Sequence, residues 1–347
     1  MKPIRLLFLF VLCLLGNNTT FPHDSCNVPS VVFWEYDSLN NMTTIRCLDS
    51  IGDLKTLVPN GGSGFLSPEG DYIAYTTTNN YGTQFFEYDM SLYVYDIKTD
   101  NLRQLRDSEG HIAANWVTSN DLIISTWDDT ITTYAAFKPD HRFLYNVQSA
   151  ELLELEWPIG NGARVVGYWA EAESFLFADY SNGLSTITLD GVLTPISIPV
   201  NAFDSDFVMS QDSRLVAYRI WCNNESILTN CLAIYELGKD DVEVITAFAE
   251  DYQGFYHFEF SYTGRYITVL LHPNAILGIY DLQQQKIALM FSDMNISGYR
   301  WSQNQDRLFI AVLNENDETN SYIYAVDPLS GEKELVIDAP VDFLGFY

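Results

Sequence analysis

Hydrophobic and polar positions along the chain follow a repeated grammar. At Gly64-Phe65-Leu66-Ser67-Pro68-Glu69-Gly70-Asp71-Tyr72-Ile73-Ala74-Tyr75 an apolar residue precedes a small one, then come a polar turn and a β-rich run. The same order returns at 116–124, at 169–170 with 175–178, and at 209–218, 260–267 and 301–310. The small-residue positions are 67, 117, 170, 210, 261 and 302, spaced by 50, 53, 40, 51 and 41 residues.

A second motif keeps a fixed place in each repeat. Tyr95-Asp96-Ile97-Lys98-Thr99-Asp100-Asn101-Leu102-Arg103-Gln104-Leu105 aligns without gaps to Tyr145-Asn146-Val147-Gln148-Ser149-Ala150-Glu151-Leu152-Leu153-Glu154-Leu155, and 280–289 and 326–335 follow the same plan. Each is a strand, a tight turn and an alternating strand, so each repeat supplies four strands. Residues 148–156 alone would pass for a helix, but their alignment with plainly β segments assigns them to a strand. At the N-terminus, 31–36, 43–48 and 54–58 match second, third and fourth strands with the first one missing. At the other end, 342–347 reads as a first strand with nothing after it, and Gly345 follows Ser302 by 43 residues. Periods of about 40 to 50 residues belong to propeller blades. The pattern therefore predicts an all-β, seven-bladed β-propeller of four-stranded antiparallel blades over 31–347, with six or eight blades as alternatives. The C-terminal strand joins the N-terminal blade, which removes two sheet edges.

Ser67-Pro68-Glu69-Gly70 and Phe260-Ser261-Tyr262-Thr263-Gly264 resemble the signature of TolB-type and WD-like exported bacterial propellers, and the similarity covers 31–347. The Gly-His and Trp-Asp dipeptides of true WD repeats are absent. The resemblance implies a non-catalytic propeller used for recognition.

The N-terminus changes the cellular picture. Lys2 and Arg5 precede an apolar run at 6–16 that ends at Asn17 and Asn18, the shape of a secretory signal over 1–18 and too short to span a bilayer. A segment at 19–30 leads into the propeller. Lipid anchoring at Cys13 is a weaker alternative, because Phe10-Val11-Leu12-Cys13 puts a bulky Leu before the Cys. An exported chain suits disulfides. Cys26, Cys47, Cys222 and Cys231 allow three pairings. A bridge of Cys222 to Cys231 across a polar hairpin, with Cys26 to Cys47, is the natural choice, and the spacing does not suit a metal.

Acidic residues number 46 against 18 basic ones, for a net charge of −28. That balance excludes nucleic acid and anionic lipid surfaces as partners. With 47% hydrophobic and 18% charged residues the composition is that of a packed domain, expected to be monomeric and without a membrane span.

Catalytic motifs are missing. Gly61-Gly62-Ser63-Gly64-Phe65 fails the nucleophile elbow at its last position, and no P-loop, H-E-x-x-H or calcium loop is present. No cofactor or metal is expected. The adjacent acids Asp128-Asp129, Asp240-Asp241 and Asp317-Glu318 fit solvated turns. Binding candidates are aromatic segments between strands: Tyr81, Phe85, Phe86 and Tyr88 in one hairpin, Trp127 with Asp128 and Asp129 in another, and Tyr252, Phe255 and Tyr256 in a blade connection. Rings beside acids suit a protein, peptide or glycan ligand. The expectation is a non-enzymatic binding or scaffold module. The alternative is a carbohydrate-active lyase or glycoside hydrolase with carboxylates at the channel mouth.

Overall fold

Two turns recur in most of the repeats, and single side chains specify both. In the first, a serine following the innermost strand closes a turn on the residue five positions later. The serine N–H donates to that residue's carbonyl and the serine hydroxyl accepts its N–H: Ser67 with Tyr72 (2.8 and 3.1 Å), Ser210 with Leu215 (2.9 and 2.9 Å) and Ser261 with Tyr266 (2.9 and 3.1 Å). Three residues after the serine the backbone turns left-handed, at Gly70 (φ 77°), Ser213 (φ 58°) and Gly264 (φ 71°). Glycine adopts that conformation at little cost, which explains two of the three. Where Val117 replaces the serine, Thr118 Oγ1 takes over and accepts the N–H groups of Asn120 and Asp121 at 3.2 and 3.0 Å.

The second turn is an Asx turn between the third and fourth strands. Asp96 Oδ1 accepts the N–H groups of Lys98 and Thr99 (3.0 and 3.1 Å), and Asn146 Oδ1 those of Gln148 and Ser149 (3.1 and 2.9 Å). Asp281 Oδ1 and Asp327 Oδ1 repeat the arrangement with Gln283 and Gln284, and with Leu329 and Ser330. Burial pushes the Asp281 carboxyl up, but the Arg265 guanidinium at 2.7 Å and the two turn N–H groups outweigh it and hold the pKa below the ordinary aspartate value.

The computed structural model describes residues 29–346 apart from 38–41, 50–53, 59–63, 82–87, 109–110, 128–138, 140, 160–162, 180–182, 199–201, 225–226, 240–241, 247, 249–253, 273–275, 293, 303, 315–316 and 342. The signal segment, Cys13 and Cys26 lie outside the described residues. Six sheets each take four consecutive antiparallel strands, spanning 64–108, 111–154, 164–196, 202–245, 254–291 and 296–341. These are propeller blades. Residues 148–156 contribute the strand Glu151–Glu154, as the alignment predicts. A further sheet is mixed in origin, with Phe343–Phe346 beside Pro29–Asp37, then Met42–Asp49 and Leu54–Val58. Its terminal strands pair Phe33 with Phe346, Trp34 with Gly345 and Glu35 with Phe343.

Successive blades bury their faces against each other, so core strands between two neighbours are apolar on both sides. Ala74, Leu92 and Val94 of one blade pack on Ile112, Leu122 and Phe143 of the next. Side-chain alternation then divides a single strand between two layers: Ile267 and Val269 face the 202–245 blade, and Tyr266 faces the 296–341 blade. The mixed sheet joins this series on one side through Ile45 and Leu57, which pack on Ile73 and Tyr95, and its Phe343–Phe346 strand lies near Ile296–Trp301. Cys47 and Cys231 are buried and each is disulfide-bonded. Among the described residues no helix is long and apolar enough to cross a membrane.

Two sequence expectations need correction. Phe255 and Tyr256 belong to the inner strand Gly254–Phe260, not to the connection before it, and Phe255 is only 3% exposed. The side chain packs edge-on to Phe258 in the core because alternation along that strand turns it between blades. Asp317 and Glu318 begin the strand Asp317–Val326 and do not sit in a turn, since pairing of Asn314 with Asp317 carries the ladder to that point.

Ser261 and Tyr266 are both 1% exposed. Ser261→Ala removes the acceptor from a buried N–H and is expected to cost roughly 1–3 kcal/mol of stability, read from urea unfolding midpoints. A midpoint equal to that of wild type would show that the hydroxyl does not hold the turn.

Candidate functional site

The innermost strand of every blade has a hydrogen-bonded neighbour on one side only. The ends of six of these strands, with the serine turns that follow them, converge on a cavity of about 360 Å³. Phe65 with Leu66, Asn115 with Trp116, Val208 with Met209 and Glu259 with Phe260 come to it from two matching columns of the repeat, Trp301 from the second of these, and Val165, Val166 and Ser302 complete the lining. Phe65 and Tyr262 stand at its mouth, 45% and 39% exposed.

Neighbouring blades are tied together around this cavity by donors aimed at inner-strand carbonyls. Trp116 Nε1 donates to Phe65 O at 2.8 Å, and Trp301 Nε1, in the same column, donates to Glu259 O at 3.2 Å. Each indole also stacks on the tyrosine that ends the adjoining serine turn, Trp116 on Tyr72 (6.1 Å) and Trp301 on Tyr266 (6.0 Å). Arg164 reaches Phe207 O and Arg219 reaches Phe255 O in the same manner. Across the mouth, Gln211 Nε2 donates to Pro68 O at 2.8 Å, a polar bar between non-neighbouring blades.

Glu259 is the one carboxylate in the described lining. Burial raises its pKa above the ordinary glutamate value, opposed by Arg300, whose Nη1 lies 3.3 Å from Oε1. Its Oε2 is enclosed and has no partner among the described residues. Behind it, Tyr299 shares a 2.8 Å hydrogen bond with His257, and burial, with the Glu259 charge second, pushes the phenol far above its usual range. Among the described residues no three His, Cys, Asp or Glu side chains converge to hold a metal ion.

The strands that flank the aromatic segments singled out from sequence meet them at the opposite end of the sheets. Second-to-third-strand hairpins and blade connections leave from the end away from the serine turns. Tyr81 and Tyr88 are paired across the strands that flank 82–87, and Trp127 ends Asp121–Trp127 half-buried, its Nε1 without a partner among the described residues. Phe85, Phe86, Asp128, Asp129 and Tyr252 lie outside the described residues, as do the side chains of Tyr81, Tyr88 and Tyr256. Sequence reasoning passed over Phe65, Trp116, Gln211, Glu259, Tyr262 and Trp301. The signal was available: residues at equal places in successive repeats meet at a propeller axis.

Fold and cavity together define a β-propeller domain with an axial pocket. No protein-family profile and no curated protein matches the sequence. Solved structures do resemble the fold. The propeller domain of the Trilobed protease from Pyrococcus furiosus matches with a TM-score of 0.60 at 13% identity, covering 90% of this chain and 97% of that one. The acylaminoacyl peptidase of Pyrococcus horikoshii matches at 0.62 and 14%, over 92% of this chain but 53% of the peptidase. The periplasmic gluconolactonase of Pseudomonas aeruginosa matches at 0.56 and 13%, over 91% and 96%. Enzymes and isolated propeller domains stand side by side in this group, and at such identities the likeness is one of fold.

Because burial disfavours the ionised form of Glu259, its contribution to stability is greatest below the unfolded carboxyl pKa and falls as pH rises through the raised folded one. Glu259→Gln is expected to stay within about 1 kcal/mol of wild type at pH 7, since Arg300 is 38% exposed and can hydrate. The variant should lose part of the stability gain that wild type shows between pH 7 and 5 in thermal unfolding. A large loss at pH 7 would show instead that the ion pair holds two blades together.

Proposed function

We propose that this protein is an exported, non-catalytic recognition module that holds a protein or glycan partner at the axial mouth. One observation carries the reading: the described lining offers rings, amides and hydroxyls but a single carboxylate, Glu259, already engaged by Arg300. Cleavage of a glycosidic bond would call for two carboxylates roughly 5 to 10 Å apart. The TolB-like turn signature and the signal-like N-terminus favour export, and the disulfides at Cys47 and Cys231 accord with an oxidising compartment. A screen of the mature chain against glycan and peptide arrays is expected to give hits that weaken in Phe65→Ala. Silence on both arrays, or hits indifferent to the mouth, would refute it.

We also infer that the mixed sheet is the seventh blade and closes the ring. It packs on the 64–108 blade, and its C-terminal strand lies near the inner strand Ile296–Trp301. Deleting residues 343–347 is expected to abolish the cooperative thermal transition followed by circular dichroism. An unchanged melting temperature would rule out closure by that strand.

A further inference from the structure

We propose that the axial mouth accepts the guanidinium or ammonium group of an arginine or lysine carried on an extended basic peptide. This rests on the recognition role above and assigns the chemistry of its partner. Three features of the mouth converge on a cation.

The first is the wall. Phe65 and Tyr262 present exposed rings at the entrance, with Trp116 and Trp301 deeper in. A cation over such faces gains from the ring quadrupole, more so as water is excluded. Val165, Val166, Val208 and Met209 supply an apolar lining for an alkyl stem. The cavity of about 360 Å³ gives ample room, since an apolar cavity of about 150 Å³ already holds a benzene ring.

The second is the balance of charge at this end of the molecule. The described lining contains no Lys or Arg. Four basic residues in and beside the turns are already paired: Lys98 with Asp71 (2.6 Å), Arg214 with Glu236 (3.1 Å), Arg265 with Asp281 (2.7 Å), and Arg307 with Glu334. Glu69, Glu171, Glu173 and Asp212, on the turns at this end, have no ion-pair partner among the described residues. Their field adds to a chain of net charge −28 and steers a basic segment toward the opening. The Glu259–Arg300 pair is internally balanced, so attraction comes from the rings and the rim.

The third is selectivity against other ligands. An anionic chain meets those acids with no unpaired cation in the described lining, and a neutral one gains nothing from them. The bar from Gln211 to Pro68 O narrows the entrance.

A strongly acidic protein attracts any basic peptide, so the test must hold charge constant. Fluorescence anisotropy would compare a labelled Gly-Ser-Arg repeat peptide with its uncharged citrulline counterpart, against the full chain and against Phe65→Ala/Tyr262→Ala. The double variant leaves the net charge at −28 and removes two exposed rings. The arginine peptide should bind wild type, lose about tenfold or more in the variant, and outbind the citrulline peptide. Equal binding to wild type and variant would mean diffuse charge attraction and overturn the assignment, as would no binding at all. A neutral glycan that hits the array and is lost in the same variant would leave the recognition role standing while removing the cation from it.

Discussion

The structure depends on one problem, the unpaired edge of the innermost strand. A four-stranded blade leaves its first strand with N–H and C=O groups facing the axis, where a propeller cannot offer another strand. Neighbouring blades answer with side-chain donors directed at inner-strand carbonyls. Indoles serve at Phe65 and Glu259, and guanidinium groups at Phe207 and Phe255. These bonds lock four pairs of neighbouring blades together at their inner strands. They also bring aromatic rings to the axis, so the wall of the cavity is a by-product of satisfying the backbone.

Much of this order was legible because it is written locally. Ser67, Ser210 and Ser261 mark one turn, and Asp96, Asn146, Asp281 and Asp327 mark the other. In each case one side chain bonds backbone a few residues away. Short-range chemistry of that kind survives translation into sequence pattern, so the repeat, the four-stranded plan and the β assignment of Glu151–Glu154 could be drawn from it. The columns that build the cavity use the same positions, but their partners lie about 40 to 50 residues away, or 143 in the case of Gln211 and Pro68. Nothing local announces such contacts.

Aromatic clustering misplaces Phe255 for a related reason. Phe255 belongs to a strand buried on both faces, where a large ring is needed to fill the gap between blades. Tyr266, Tyr218 and Phe177 do the same work elsewhere in the core. In a chain whose rings are 14% of residues, a local run of them says little about exposure. Position within the repeat says more: Phe65 and Tyr262 flank a small-residue column and remain 45% and 39% exposed.

A repeated scaffold gains a site where its columns stop agreeing. The column before the small residue holds Trp116, Phe260 and Trp301, which pack between blades, and also Met209, which does not stack. One position further in, Ser261 and Ser302 keep the hydroxyl, and Gln211 follows Ser210 with an amide long enough to cross the mouth. Glu259 puts an acid where the 64–108 blade has Phe65. The Glu259 side chain is not what joins the two inner strands, since the carbonyl of Glu259 accepts the indole of Trp301 whatever its side chain. Exposed side chains at the axis, Phe65 and Tyr262 among them, are the ones available for recognition, and the proposed function is built on them.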